Sequence, residues 1–320
     1  MKKFPSIDQL RNVVKQVRLN HDYKGSDDLG NPKYQHDTLY PTLKFKGTVK
    51  LHGTNAGIVR YLDGHTEYQS RERVLTLESD NAGFMAAMSQ KNLGFLFDRF
   101  SFQDYCAIYG EWCGGSIQKG VALNGLEKMF VIFGIKIDDQ WEELDETLHG
   151  EGIYNILQFP TYEVDIDFEN PEMIQNELIR MTIEVEDCCP VGKYFGVEGV
   201  GEGIVFTHGD LRFKSKGEKH SVSKVKTLNP VNIEQLESIN QFVEMAVPEQ
   251  RLEQGISFLK ENNIEAESKN VGEFLRWVVT DVLKEEGDTM AENNLDEKKV
   301  KAAIVNKART WYFTNMLKNV

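Results

Sequence analysis

Leu43-Lys44-Phe45-Lys46-Gly47-Thr48-Val49-Lys50, running directly into Leu51-His52-Gly53-Thr54-Asn55, is the stretch on which the reading of this chain turns. Leu43, Phe45, Val49 and Leu51 fall on one parity. Lys44, Lys46, Thr48, Lys50 and His52 fall on the other, the two-residue period of a half-buried strand. Gly53-Thr54-Asn55 closes the strand with a loop whose small residues let backbone amides approach a phosphate. Lys50 would share its face with two further lysines. A free lysine amine has a pKa of roughly 10.4, so it attacks phosphorus only where neighbouring cations or desolvation favour its neutral form. Taken alone, the stretch is equally an ordinary amphipathic strand ending in a turn.

Four further segments follow in order. Tyr109-Gly110-Glu111-Trp112-Cys113-Gly114-Gly115 ends an apolar run that begins near Tyr105. A carboxylate at such a strand end can accept from a ribose hydroxyl, with glycines leaving room for the sugar. Met129 to Ile135 is a continuous apolar run, a buried strand in which Phe130 and Phe133 are core residues, either of which can turn a ring face to a base. Glu202-Gly203-Ile204-Val205-Phe206, the turn His208-Gly209-Asp210 and the alternating Leu211-Arg212-Phe213-Lys214-Ser215-Lys216 predict one hairpin. Its second strand sends Arg212, Lys214 and Lys216 one way and Leu211 and Phe213 the other. Two lysines two residues apart suit the clamping of a triphosphate, and an isolated Lys-x-Lys suits a solvated basic strand equally.

In this order the segments resemble the covalent nucleotidyltransferase superfamily of ligases and capping enzymes. The nearest likeness is to the ATP-dependent RNA ligases of the phage RNA ligase 2 type. Lys50-Leu51-His52-Gly53-Thr54-Asn55, Gly110-Glu111-Trp112-Cys113-Gly114-Gly115-Ser116-Ile117-Gln118-Lys119 and Glu202-Gly203-Ile204-Val205 carry the likeness, which spans about residues 35 to 226. It implies an α+β fold: a nucleotidyltransferase (ATP-grasp-like) domain built on antiparallel sheets over residues 1–228, followed by an all-α domain over 229–320.

The resemblance also implies roles. Lys50 would become Lys-AMP, with His52 and Asn55 beside it and Gly53 in the nucleotide loop. Glu111 would hold the ribose, and Phe133, or failing it Phe130, would stack on the base. Arg71, in Ser70-Arg71-Glu72-Arg73, would contact phosphate or RNA. Glu202 would organise lysine and metal, and Lys214 and Lys216 would hold the α-phosphate. Asn55, Arg71, Arg212 and Lys219 would meet RNA. The implied cofactors are ATP and Mg²⁺ or Mn²⁺, and the implied partner is RNA with 5′-phosphate and 3′-hydroxyl ends, as in a nicked duplex. Relatives often carry an acid before the nucleophile and another after the stacking phenylalanine. Here Thr48-Val49 and Gly134 stand in those places, so ATP is expected from the family and not from these residues. The implied work is RNA repair or processing.

Composition fits a two-domain enzyme. The chain has 320 residues, 40% of them hydrophobic, enough for one large core and one smaller one. Apolar runs fall short of the ~20 residues that span a bilayer, and four unpatterned cysteines suit a reducing compartment. A cytoplasmic protein, encoded by a cell or by a virus, is expected. Cys188-Cys189 and seven scattered histidines lack zinc-type spacing.

A net charge of -13 sits badly with RNA binding until its distribution is traced. Asp138 to Asp187 holds sixteen acidic residues against Arg180 alone, so the remainder is slightly basic. That stretch is expected to be a solvated face or an insertion away from the RNA path. Arg212 to Lys226, with Lys219, Lys224 and Lys226, is the expected phosphate track.

Beyond Asn229-Pro230 the period becomes helical. Val271, Phe274, Leu275, Val278, Val279, Val282 and Leu283 mark one helix with Asn270 and Glu273 as a capping box. About Asp296 to Leu317 forms another that buries Val300, Ile304, Ala308 and Trp311, and two shorter helices are expected between Asn232 and Asn262. Such a tail suits RNA engagement in the likeness drawn above; the alternative within the superfamily is a related nucleotidyltransferase, a DNA ligase or guanylyltransferase, against which the tail speaks because those typically carry a small β-barrel there. A noncatalytic RNA-end binding protein with the same pocket is the alternative from another class.

Overall fold

A computed structural model of the chain describes residues 1–36, 39–217 and 239–316. The strands among them are β1 (Tyr23–Ser26), β2 (Pro32–Tyr34), β3 (Thr42–Lys50), β4 (Thr54–Tyr61), β5 (Thr66–Ser70), β6 (Tyr105–Cys113), β7 (Met129–Ile137), β8 (Gln140–Glu142), β9 (Ile153–Asn155), β10 (Thr161–Asp167), β11 (Gly203–His208) and β12 (Leu211–Lys216). The helices are α1 (Leu10–Asp22), α2 (Phe84–Met88), α3 (Gly94–Phe97), α4 (Gln175–Asp187), α5 (Pro190–Tyr194), α6 (Ile239–Ala246), α7 (Glu249–Glu261), α8 (Val271–Glu292) and α9 (Glu297–Met316). Two compact units emerge. One, here the sheet unit, comprises Phe4–Gly53 and Tyr109–Gly217; the other, the helical unit, comprises Met1–Lys3, Thr54–Ile108 and Glu218–Val320. The chain passes from one to the other between Gly53 and Thr54.

The sheet unit is built on an antiparallel sheet in the order β10-β3-β11-β12. Alternation on β3 does what its pattern requires: Phe45 and Val49 are buried, while the lysine parity faces the other way. Phe206 and Phe213 stack with centroids 5.0 Å apart beneath the hairpin, and Phe45 meets Phe213 edge-on at 5.3 Å. These rings fix which face of the hairpin is core, so Arg212, Lys214 and Lys216 are set on the opposite face. The free side of β12 is covered by the N-terminal segment, where Asp8 exchanges backbone bonds of 3.1 and 3.0 Å with Arg212 and Lys214. In the same unit β7 pairs with β8 antiparallel and with β9 parallel.

The acidic stretch is not an insertion. β10 belongs to the sheet that carries Lys50, with Glu163 opposite Lys46 and Asp165 opposite Lys44. Two carboxylates of the acidic stretch meet the lysine row on its exposed side: Lys44 meets Glu163 and Lys46 meets Glu143, each at 3.4 Å, the first of them a cross-strand pair.

In the helical unit β4 and β5 form an antiparallel ladder, and the C-terminal helices share one core. Phe242, Leu252, Leu259, Phe274, Val278 and Val282 are buried together with Val300, Ile304 and Ala308. The next buried position on α9 is Tyr312, at 1% exposure, instead of Trp311. Trp311 lies at the margin, stacked on Phe274 at 6.0 Å with its Nε1 donating to Glu249. Asn270 precedes α8 as expected but makes no cap bond; its Nδ2 donates to the Glu265 carbonyl. A turn of tighter helix over Ser268–Asn270 directs the side chain backward. The expected start of the first tail helix, the boundary at 228/229, and Lys219, Lys224 and Lys226 lie outside the described residues.

Candidate active site

Lys50 is the last residue of β3, and its strand register puts Gly203 directly opposite. Glu202, one residue before β11, therefore lies within reach of the Lys50 amine. The ammonium donates to Glu202 Oε2 at 2.8 Å. On the other side of β11, Lys216 stands opposite Gly203 in the hairpin register and reaches Glu202 Oε1, also at 2.8 Å. His52 Nδ1 is 3.2 Å from Oε2. Three basic side chains from two segments thus share one carboxylate whose side chain is 2% exposed.

Gly203 makes the approach possible. Its φ of +144° is one that side-chain-bearing residues rarely adopt, and a Cβ there would collide with the Ser215 carbonyl. Burial by itself would raise the Glu202 carboxyl. The Lys216 and Lys50 ammonium groups and the His52 contact outweigh it and hold the group well below the usual carboxylate range. Glu202 is consequently a poor proton acceptor at neutral pH.

The loop after Lys50 is gripped from two sides. Gly53 N–H donates to Glu111 Oε1 at 3.0 Å, and Gln118 Nε2 donates to the Gly53 carbonyl at 3.3 Å. Gly53 itself has no room for a side chain, since a Cβ would meet the Trp112 carbonyl. Gln118 carries no expectation from sequence although it lies within the Gly110–Lys119 run. Asn124 holds its segment by bonding the carbonyls of Gly115 and Gln118.

Of the two candidate stacking rings, Phe130 is fully buried against Gly110. Phe133 keeps partial exposure and is met edge-on by Phe4 at 4.9 Å. Arg212, expected as an RNA contact, has its guanidinium 4.1 Å over the Trp141 ring and 5.7 Å from Phe4, with one N–H on the Asp210 carbonyl. Burial lowers its pKa, partly opposed by Asp210. Its flat faces are therefore occupied by aromatic rings. Lys214 lies opposite Val205, on the parity of Lys216. Lys50, His52, Gly53, Glu111, Phe133, Glu202, Arg212, Lys214 and Lys216 all belong to the sheet unit; Asn55 and Arg71 belong to the helical unit. There Arg71 is 54% exposed in its side chain and pairs loosely with Glu72 at 3.8 Å.

A family model described as RNA ligase matches residues 44–226, more than half of the chain and all of the sheet-unit residues just described. The chain belongs to the RNA ligase family. Among solved structures, it is similar to the RNA ligase of Naegleria gruberi with PPi, at 21% identity and a TM-score of 0.44, covering 68% of this chain and 56% of that one. Two variants of the same enzyme, one with ATP and Mn and one with AMP and Mn, match at 20% identity and TM-scores of 0.45 and 0.46, covering 68% of this chain and 57% and 56% of theirs. This RNA ligase family member thus spans less than two thirds of the length of those chains. No curated protein sequence matches it. Among the described residues no helix is long and apolar enough to cross a membrane.

Proposed function

We propose that the chain is an ATP-dependent RNA ligase, of the phage RNA ligase 2 type, that forms Lys-AMP at Lys50. The observation that carries this reading is the shared, buried carboxylate of Glu202, which joins Lys50 to Lys216 and His52 in a partly exposed cluster. Lys50 attacks the α-phosphorus of ATP, forming a phosphoramidate bond as the bond to pyrophosphate breaks. The AMP then passes to an RNA 5′-phosphate. That transfer breaks the phosphoramidate and regenerates the amine; a 3′-hydroxyl then attacks the RNA 5′-phosphorus, making the phosphodiester as the anhydride breaks and AMP is released.

Each side chain has a task in that sequence. Lys214 and Lys216 neutralise charge at the α-phosphate, so Lys216 exchanges its carboxylate for phosphate as the nucleotide arrives. Glu111 leaves Gly53 for the ribose, and the open part of Phe133 stacks on adenine. A divalent cation, Mg²⁺ or Mn²⁺, supplies charge neutralisation on the triphosphate. Such a cation would be held chiefly by phosphate and water, with Glu202 the carboxylate available to it. The tail, residues 229–320, would engage RNA, while 1–228 forms Lys-AMP; the substrate is RNA with a 5′-phosphate and a 3′-hydroxyl, as at a nick in a duplex, met in the cytoplasm during repair or processing.

The test is intact mass of wild type and Lys50→Ala after incubation with ATP or with GTP and Mg²⁺. A gain of one AMP in wild type alone is expected. No adduct in a folded sample able to exchange prebound AMP overturns the reading, and a GMP adduct moves the chain to guanylyl transfer.

A further inference from the structure

Glu261 is the last residue of α7, yet its side chain meets a residue 207 positions earlier. Thr54 Oγ1 lies 3.2 Å from Glu261 Oε1, and Asn81 Nδ2 donates to the same hydroxyl at 2.9 Å. An amide nitrogen offers protons only, so the Thr54 hydroxyl must spend its own proton on Glu261. Thr54 and Asn81 are 4% and 6% exposed, and buried hydroxyls are costly to leave without a partner. The main chain of Glu261 is held as well. Arg73 Nε donates to its carbonyl at 3.1 Å, while the same guanidinium bonds the carbonyls of Ser79 and Asp80. Two residues on, Asn263 Nδ2 donates to Ser79 Oγ at 2.7 Å.

All these residues lie in the helical unit. Burial pushes the Glu261 carboxyl above its ordinary value, opposed by the Thr54 bond and by Arg71. A glutamate serving only to end a helix on the surface would keep its carboxylate in water. This one is brought to the residue where the chain enters the unit, immediately before Asn55.

We propose that Glu261 is a positioning residue for strand joining: it fixes Thr54, and through it Asn55, so that RNA held by the helical tail is registered at the ends to be sealed. The proposal rests on the ligase reading given above. It bears on the second half of the reaction more than on the first, because Asn55 is expected to meet the RNA ends as well as the nucleotide, whereas Lys50 takes the nucleotide alone. The coupling is mechanical and local, carried by one hydroxyl and one peptide bond.

The test uses the full chain in two assays: formation of Lys-AMP from ATP and Mg²⁺, and joining of a nicked RNA duplex whose 5′ end already carries AMP. Glu261→Ala and Thr54→Val should slow the second by about tenfold or more beyond any effect on the first, the scale on which small misplacements act. Glu261→Gln, whose Oε1 can still accept from Thr54, should restore joining. The double variant should be no slower than either single one, since both remove the same bond. Joining by Glu261→Ala at the wild-type rate overturns the proposal. So does equal loss of both steps, which would make the residue a fold contact, or a Gln variant as slow as Ala. A wild type that forms no Lys-AMP overturns the ligase reading itself and is recognised in the first assay.

Discussion

Glu202 Oε2 stands 2.8 Å from Lys50 Nζ, with the carboxylate almost wholly enclosed. The pair gives stability a defined dependence on acidity. The folded Glu202 carboxyl lies well below its usual range because cations outweigh burial. Its contribution is therefore present above the ordinary carboxylate pKa and is lost as pH falls through the lowered folded value. Thermal melts of wild type and Glu202→Gln from neutral pH downward should converge only in that acid range. Parallel curves throughout would show that the carboxylate is not held in its charged form.

Gly203→Ala should abolish Lys-AMP formation. The added methyl meets the Ser215 carbonyl, at a φ of +144°, and displaces Glu202 from both lysines. Gly209→Ala, in the hairpin turn with open space around it, should cost only about 1 to 2 kcal/mol of left-handed strain. Adenylylation assays on the two variants separate collision from turn strain.

Phe133→Ala should weaken nucleotide binding. Stacking of a base on an aromatic ring is worth roughly 1 to 3 kcal/mol, so the ATP concentration for half-maximal Lys-AMP formation should rise by about five- to hundredfold. Phe130→Ala, a core truncation, should instead lower the melting temperature, with a loss of about 3 to 5 kcal/mol.

Arg251 is fully enclosed within the helical core, bonding Asp281 at 2.8 Å and Glu285 at 3.0 Å, with Glu286 at 3.8 Å. Arg251→Ala leaves carboxylates without their cation, two of them largely buried, and should destabilise the tail by about 3 to 5 kcal/mol. Urea unfolding followed through the tail tryptophans should show an earlier transition.

The parts legible in the sequence are those whose information is local. Lys50 with its glycine loop, Glu111 at its strand end and the Lys214/Lys216 alternation could be found because a strand writes its two faces into a two-residue period. What stayed hidden needs partners far apart in the chain. Gln118 serves a carbonyl 65 positions away, Glu261 a hydroxyl farther still, and Trp141 became the platform for Arg212 only when β8 folded beside β7. At β10 composition could not separate a solvated face from an insertion, since counting acids cannot reveal that Glu163 and Asp165 stand opposite lysines in a sheet. Helical spacing placed Ile304 and Ala308 correctly and then strayed at Trp311, because the core favours the next position on the turn.

The shared carboxylate also determines what an arriving nucleotide encounters. Glu202 already offsets one of the two ammonium charges of Lys50 and Lys216, so the cluster at rest carries less unmatched positive charge than its bases alone would. On the ligase reading proposed above, a triphosphate would enter by exchange of partners, as an anion does on a loaded resin. Uptake governed by such a swap responds less to bulk salt than capture by unmatched lysines would, and other polyanions gain little hold on the site unless they displace Glu202 as well.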